Sequence, residues 1–429
     1  MKPSYATSDS HPVLIVGAGQ AGATAAAALR KNGCPTPIIL CGSELHAPYE
    51  RPPLSKGVLT DVKAEESIFI HPASLYQDQT IDLRLGHTVI SLDTEKKLAY
   101  FSDGCRIEYR SCLLSTGGDA RLIHDLPKDA PRVHYVRTLQ DARRLRSALD
   151  KKTHVLVIGG GFLGLEIASS ARANGHQVTL VESAPRLLQR ALPAVLSDWL
   201  AERAIACGIE LKLGVEIESV STRADGVQLH IKGGTMISTS VVVVAVGLVP
   251  DVELACNAGL QINRENGGIS IDERCMSSAP DVYAAGDCAS QMNTFFGREV
   301  RLESWQNANT QAQIAAATIA GTTLPKNVVP WFWTDQFGWN IQIYGEYEAS
   351  LEYVLRGTRP SPSEPGKCIF LGSRMGVLRH AIAINAGGEL RQLQPLFERQ
   401  ISCVTAALTN QAQPLRTLVE EALRASAKP

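Results

Sequence analysis

Two stretches of the chain carry the same pattern of apolar and polar positions. Val13-Leu14-Ile15-Val16 is a continuous apolar run of strand formers, short enough for a strand buried on both faces. It gives way to Gly17-Ala18-Gly19-Gln20-Ala21-Gly22 and then to an alanine-rich helical stretch at 23–31. The pattern returns 142 residues later: Val155-Leu156-Val157-Ile158, then Gly159-Gly160-Gly161-Phe162-Leu163-Gly164, then a helical stretch at 165–174. Gly33 and Gly175 close the two helical stretches, and a second apolar strand follows each, at 38–41 and 178–181. The pattern predicts two separate β-α-β units, an α/β fold with two dinucleotide sites.

After about residue 326 the pattern changes. Trp331, Phe332, Trp333, Phe337, Trp339 and Tyr344 fall within fourteen residues, and alternating runs follow at 368–371 and 376–384. The segment 357–366, rich in Pro and Ser, reads as a hairpin connection. Helical stretches at 390–408 and 415–427 close the chain, so this part is expected to be an α+β domain. The longest apolar run, 241–246, is far too short for a bilayer and reads as a buried strand. The first residues, MKPSYATSDSHP, lack the apolar core of a signal peptide. The expected location is therefore the cytoplasm; the extension of roughly ten residues has no legible role.

Composition narrows this little: 45% hydrophobic and 20% charged residues describe an ordinary globular chain. A formal charge of −1 provides no global attraction to nucleic acid or membrane. The ten cysteines form no C-x-x-C pair, which argues against zinc-finger and thioredoxin-like readings and fits a reducing compartment.

The chemistry lies in the glycines. Gly17 and Gly159 permit the tight strand-to-helix turn, Gly19 and Gly161 leave room for a pyrophosphate, and Gly22 and Gly164 let helix and strand pack closely. Each helix start then offers free N–H groups and partial positive charge to the phosphates. A carboxylate at the end of the second strand binds ribose hydroxyls and repels a 2′-phosphate. Glu182, 23 residues after Gly159, has that position and predicts NADH over NADPH. In the first unit the position falls between Ser43 and Glu44.

Further motifs carry a resemblance. Tyr49-Glu50-Arg51-Pro52-Pro53-Leu54-Ser55-Lys56 resembles the hallmark of FAD-dependent ferredoxin reductases of oxygenase systems, the reductases of aromatic-ring dioxygenases and putidaredoxin reductase among them. Leu114-Ser115-Thr116-Gly117-Gly118, Val246-Gly247-Leu248-Val249-Pro250, Val282-Tyr283-Ala284-Ala285-Gly286-Asp287-Cys288, Glu303-Ser304-Trp305-Gln306-Asn307-Ala308 and Trp331-Phe332-Trp333-Thr334-Asp335-Gln336 are similar to that family's later motifs, in its order.

The resemblance implies a glutathione-reductase-like architecture. The FAD domain would be discontinuous, at about 1–118 and 245–325, with an NAD domain inserted at 119–244 and a C-terminal α+β domain at 326–429. It implies FAD contacts from Gly17, Gly19, Gln20, Ala21, Gly22, Ser43 or Glu44, Arg51, Lys56, Val89, Thr116, Gly117, Arg137, Gly286, Asp287 and Trp305. Asp287 would accept hydrogen bonds from the ribityl chain near the start of a helix, the alternative being a plain helix cap. NAD contacts would come from Gly159, Gly161, Phe162, Leu163, Gly164, Glu166, Glu182 and Gly247. Lys56 and Glu166 would pair beside the flavin and nicotinamide, and Phe162 would cover the flavin until NADH displaces it. Ser115 replaces a common alanine and is expected to matter little.

Cys34 and Cys41 are not placed as the redox pair of disulfide reductases, so the flavin has to be both entry and exit for electrons. The implied activity is hydride transfer from NADH to FAD, then single electrons to a Rieske-type or plant-type [2Fe–2S] ferredoxin feeding an aromatic-ring oxygenase. The aromatic cluster, Trp333 in particular, offers either a domain core or a ferredoxin docking edge. Two other readings remain at this stage. One is an NADH-dependent reductase of oxygen, a quinone or ascorbate radical; the other is a redox-controlled binding protein resembling apoptosis-inducing factor.

Overall fold

A computed structural model describes residues 11–149, 151–222, 226–326, 328–361 and 366–426; the N-terminal extension and Ala427 lie outside them. The chain forms two compact units. The first comprises Met1–Glu50, Glu65–Asp119 and Leu248–Val328; the second comprises Arg51–Ala64, Ala120–Gly247 and Val329–Pro429.

In the first unit five parallel strands lie in the order Val282–Ala284, Ser111–Leu114, Val13–Val16, Ile38–Gly42, Ile81–Leu85. Val13, Leu14 and Ile15 are wholly buried, as an apolar run flanked by strands on both sides must be. The helix Gln20–Lys31 packs along the helix Trp305–Ala320. Small side chains (Ala21, Ala25, Ala308, Ala312) are buried on these two helices and allow a close approach. A three-stranded antiparallel sheet, Val89–Asp93, Leu98–Phe101 and Arg106–Glu108, completes one side of that core.

In the second unit a further parallel sheet runs Ile209–Leu213, Gln177–Glu182, His154–Ile158, Val241–Val244, Val133–Tyr135. The antiparallel strands Ile217–Thr222, Val227–Ile231 and Thr235–Thr239 bury Leu229 and Ile237 against it. The C-terminal part is a five-stranded antiparallel sheet in the order Trp331–Gln336, Trp339–Gly345, Val377–Ile384, Cys368–Arg374, Glu352–Gly357. Its first hairpin turns on Phe337 and Gly338, both at positive φ (50° and 77°), the two-residue turn whose twist matches the strands. The Pro/Ser-rich segment does join a hairpin, with Gly357 opposite Cys368; residues 362–365 of it lie outside those described.

Two expectations are corrected. The single helix expected at 390–408 is broken into Gly387–Leu390, the 3-10 turn Arg391–Leu393 and Gln394–Arg399, followed by the 3-10 turn Thr405–Thr409. Pro395 stands in the first turn of the third piece, Gln400 ends it in the left-handed region at φ 49°, and Ser402 is taken into a bridge with Val377 at the sheet. The segment 51–64 groups with the second unit, where Ser55 and Lys56 bond to the helix that carries Glu166. Asp287 stands in a turn leading into the strand Ala289–Asn293, so no helix starts there and the cap alternative falls away.

Candidate functional site

Both glycine turns are built alike. At Gly17 (φ 109°) a Cβ would lie 2.2 Å from the Ser115 carbonyl oxygen, and at Gly159 (φ 112°) 2.4 Å from that of Ala245. A Cβ on Gly22 or Gly164 would sit 2.0 or 1.9 Å from the carbonyl oxygen of Gly17 or Gly159. A Cβ on either middle glycine, Gly19 or Gly161, would meet nothing within 4 Å. The outer glycines are therefore required by the fold itself, whereas the middle ones leave space at a helix N-terminus. Gly19 and Gly161 are the extended N-caps of their helices, and neither helix has a side-chain cap. Open N–H groups facing open space fit a dinucleotide pyrophosphate in each unit.

The first turn is braced from below. The Ser115 hydroxyl is hydrogen-bonded to the carbonyls of Gly17 (2.9 Å) and Val16 (3.1 Å). Gln20 and Thr24, one helical turn apart, both donate to Asn309 Oδ1, at 2.9 and 2.7 Å. Gly286 donates its amide to Gln311 Oε1 at 2.9 Å, and the Asp287 carbonyl accepts from Arg301. Thr116 donates to the Asp251 carbonyl at 2.5 Å, next to Gly117. Gln311 is 3% exposed and holds the Gly286–Asp287 turn, a role the sequence did not reveal.

Ser43 is exposed at the end of its strand, while Glu44 accepts from the Tyr49 hydroxyl at 2.5 Å. Val89 is buried in that unit's core and pairs with Phe101 across the ladder. Trp305 opens the helix Trp305–Ala320, 36% exposed, with Ser304 capping the helix by accepting from the Asn307 amide.

In the second unit Glu182 folds back on the glycine turn. One carboxylate oxygen accepts from the Gly160 amide at 2.6 Å and the other from the Ala184 amide at 2.7 Å. Gly247 stands at the end of this unit's central chain segment, its carbonyl accepting from the Arg121 amide. Phe162 and Leu163 open the helix Phe162–Ala173, and the Phe162 ring packs on Phe332 with centroids 4.5 Å apart. The Arg51 guanidinium donates to the Arg137 carbonyl, which brings two residues expected to contact FAD together.

A polar cluster surrounds Glu166. Its side chain is almost fully buried, so the exposed-helix alternative does not describe it. Ser55 Oγ donates to Glu166 Oε2 at 2.6 Å, Thr334 Oγ1 donates to Oε1 at 2.6 Å, and Lys56 Nζ lies 3.1 Å from the same Oε1. Lys56 is also 3.2 Å from Asp335 Oδ2 and 5.7 Å from the centroid of the Trp333 ring, within cation–π range. Trp331 stacks on Trp333 at 5.1 Å. Ser55, Thr334 and Asp335 stand in motifs the sequence reading noted, yet only packing shows what they hold.

All ten cysteines are free, and burial pushes the thiols of Cys41 and Cys368 up to about 12 and raises those of Cys112, Cys275 and Cys288. A thiol so raised is not a nucleophile at neutral pH. Among the described residues no group of His, Cys, Asp and Glu is arranged to hold a metal, and no helix is long and apolar enough to cross a membrane.

Comparison with known proteins agrees with this geometry. Residues 11–312 match the pyridine nucleotide-disulphide oxidoreductase family, and residues 331–419 match the reductase C-terminal family. The 3-phenylpropionate/cinnamic acid dioxygenase ferredoxin–NAD(+) reductase component of Photorhabdus laumondii is 38% identical over 392 residues, 91% of this chain and 97% of the relative. The crystal structure of the ferredoxin reductase for the CYP199A2 system from Rhodopseudomonas palustris superposes with a TM-score of 0.89 at 34% identity, covering 95% of this chain and 99% of that one. The reductase in a covalent putidaredoxin reductase–putidaredoxin complex gives a TM-score of 0.90 at 29% identity, over 98% and 99% of the two chains.

Proposed function

The chain belongs to the pyridine nucleotide-disulphide oxidoreductase family, and from that premise we propose that it is an NADH:ferredoxin oxidoreductase whose acceptor is a [2Fe–2S] ferredoxin serving an aromatic-ring oxygenase. The observation that carries this reading is the pair of glycine turns, each with crowded outer glycines and an open middle one. Two dinucleotides have places to bind, and burial raises the thiols of Cys41, Cys112, Cys275, Cys288 and Cys368. FAD, when bound, supplies the chemistry: it accepts two electrons as a hydride and gives them up singly.

The rest is the work of the chain. The first turn, with Gly17, Gly19, Gln20, Ala21 and Gly22, holds the FAD pyrophosphate at a helix N-terminus, and Glu44 takes the adenosine ribose. Thr116, Gly117, Gly286 and Asp287 line the ribityl side, with Val89 and Trp305 in the same unit, and the resemblance assigns Arg51 and Arg137 to FAD contacts as well. The second turn, with Gly159, Gly161, Leu163 and Gly164, holds the NADH pyrophosphate, and Glu182 admits a 2′-hydroxyl while repelling a 2′-phosphate. Lys56 places a positive charge where reduction adds a negative one, and Glu166 keeps that ammonium in place beside the nicotinamide. Phe162 and Gly247 bound the space the nicotinamide enters. The proposed domains include an NAD domain at 119–244 and a C-terminal domain at 326–429, and the proposed location of the enzyme is the cytoplasm.

The reading as a reductase of small acceptors and the reading as a redox-controlled binding protein are not favoured, because the relatives carry names of ferredoxin reductases and one is seen joined to putidaredoxin. Stopped-flow mixing of the flavin-loaded protein with NADH and then with a purified [2Fe–2S] ferredoxin tests the proposal. Prompt bleaching of the flavin followed by ferredoxin reduction is the expected result. Fast NADH oxidation that leaves the ferredoxin oxidised would transfer the case to a small acceptor.

A further inference from the structure

The first strand of the C-terminal sheet contributes more than a wall. Thr334 and Gln336 are 0% and 1% exposed, and Gln336 Nε2 donates to Thr334 Oγ1 at 2.9 Å. A hydroxyl has one proton. With the Gln336 amide donating into its oxygen, Thr334 has its own proton free to give, and it goes to Glu166 Oε1 at 2.6 Å. Ser55 supplies the other oxygen, and the Ser55 carbonyl is itself held by Ser170 Oγ at 2.7 Å. Both Glu166 oxygens thus accept from buried hydroxyls, that of Thr334 with its proton directed by Gln336 and that of Ser55 on a backbone held by Ser170. The next residue of the strand, Asp335, treats Lys56 in parallel fashion: its Oδ2 is 3.2 Å from the ammonium, while its Oδ1 accepts from Asn340 Nδ2 at 2.7 Å. Strand alternation sends neighbouring side chains to opposite faces. Here the buried one meets the carboxylate and the half-exposed one meets the ammonium.

We propose that Thr334 and Asp335 are positioning residues for the reaction, Thr334 fixing the Glu166 carboxylate and Asp335 sharing the Lys56 ammonium, so that the C-terminal strand sets the charge that the pair presents. The inference rests on the reading above that Lys56 and Glu166 act on the flavin and nicotinamide. The Lys56 ammonium has two carboxylates within 3.2 Å, which leaves the three groups with a net negative charge and blunts the stabilisation of an anionic reduced flavin. Removing the Asp335 charge unmasks it.

The test uses the flavin-loaded full chain and four variants: Asp335→Asn, Thr334→Val, Thr334→Ser and Lys56→Met. Spectroelectrochemical titration gives the flavin midpoint potential, and rapid mixing gives the limiting rate of flavin reduction by NADH. Asp335→Asn keeps the side-chain shape and is expected to move the potential to more positive values; Lys56→Met moves it to more negative ones. Thr334→Val loses roughly ten- to a hundredfold in limiting rate through misplacement of Glu166, with a smaller change in the NADH concentration at half-maximal rate. Thr334→Ser, which restores the hydroxyl, recovers the rate. A role confined to stability would lower the melting temperature of the Val and Asn variants and leave potential and rate unmoved, which would overturn the inference. A Lys56→Met potential equal to wild type would overturn the placement of Lys56 at the flavin and this inference with it. A shifted Lys56→Met beside unmoved Asp335→Asn and Thr334→Val would overturn the inference alone.

Discussion

The Glu182 carboxylate accepts the Gly160 amide at 2.6 Å, so the acid that ends the second strand is tied to the turn that begins the first helix of the NAD unit. The same side chain therefore has two duties, one to the turn and one to the nucleotide, and they can be separated by substitution.

Glu182→Arg is expected to lower the NADH over NADPH preference in kcat/KM by about tenfold or more, equivalent to about 1.4 kcal/mol. A guanidinium replaces a repulsive carboxylate with a phosphate ligand. Glu182→Gln keeps one acceptor oxygen for a turn amide and serves as the control. Steady-state kinetics with both nucleotides decide the matter; an unchanged ratio in the Arg variant removes Glu182 from the ribose site.

The two kinds of glycine predict opposite behaviour on substitution. Gly161→Ala meets no atom within 4 Å and has an extended backbone, so the fold tolerates it, but the added methyl occupies the pyrophosphate space. Its melting temperature should stay near wild type while the KM for NADH rises by about tenfold or more. Gly164→Ala, whose Cβ would lie 1.9 Å from the Gly159 carbonyl, should not give folded protein. Tight NADH binding by Gly161→Ala would sink the assignment.

The Ser115 hydroxyl bonds to the carbonyls of Val16 and Gly17 from below the first turn. Ser115→Ala should cost about 1 kcal/mol of stability and hasten FAD loss. Thermal melting and the flavin-to-protein absorbance ratio after dialysis report both; wild-type values in each would return Ser115 to the neutral role. In the same assay Asp287→Ala should come off purification depleted in flavin, since no helix cap is lost there to confuse the result.

Thiol chemistry offers a test of the missing relay. Maleimide labelling of the native protein at neutral pH should reach the exposed Cys105 and Cys256 and spare Cys41, Cys112, Cys275, Cys288 and Cys368, whose burial raises their thiols. NADH-driven ferredoxin reduction should survive the treatment. Loss of activity on labelling a buried cysteine would reopen a dithiol route.

Burial lowers His380 from its ordinary value to about 3, with its ring bonded to the Tyr353 hydroxyl at 2.7 Å. The folded state therefore binds fewer protons than the unfolded one between about pH 6.5 and 3. Stability from the neutral ring is present above that window and is lost as pH falls through it. His380→Phe should flatten the acid limb of the stability curve, followed by circular dichroism; an unaltered limb would place the acid sensitivity elsewhere.

The sequence by itself determined the two parallel sheets and the places of both nucleotide turns. Those features are local: an apolar strand, three glycines at fixed spacing and a helix within about twenty residues dictate their own geometry. It also placed Glu182, because strand length sets where the strand ends. It could not place what depends on segments far apart in the chain. That 51–64 packs with the second unit, that Thr334 and Ser55 close on Glu166 from 168 and 111 residues away, and that Gln311 holds the Gly286 turn were decided by packing. So was the bridge between Ser402 and Val377, which draws the chain to the sheet beyond the last helical piece at Arg399. A hydroxyl or amide reads in sequence as a surface residue; only burial, which obliges each polar group to find a partner, gives it an address.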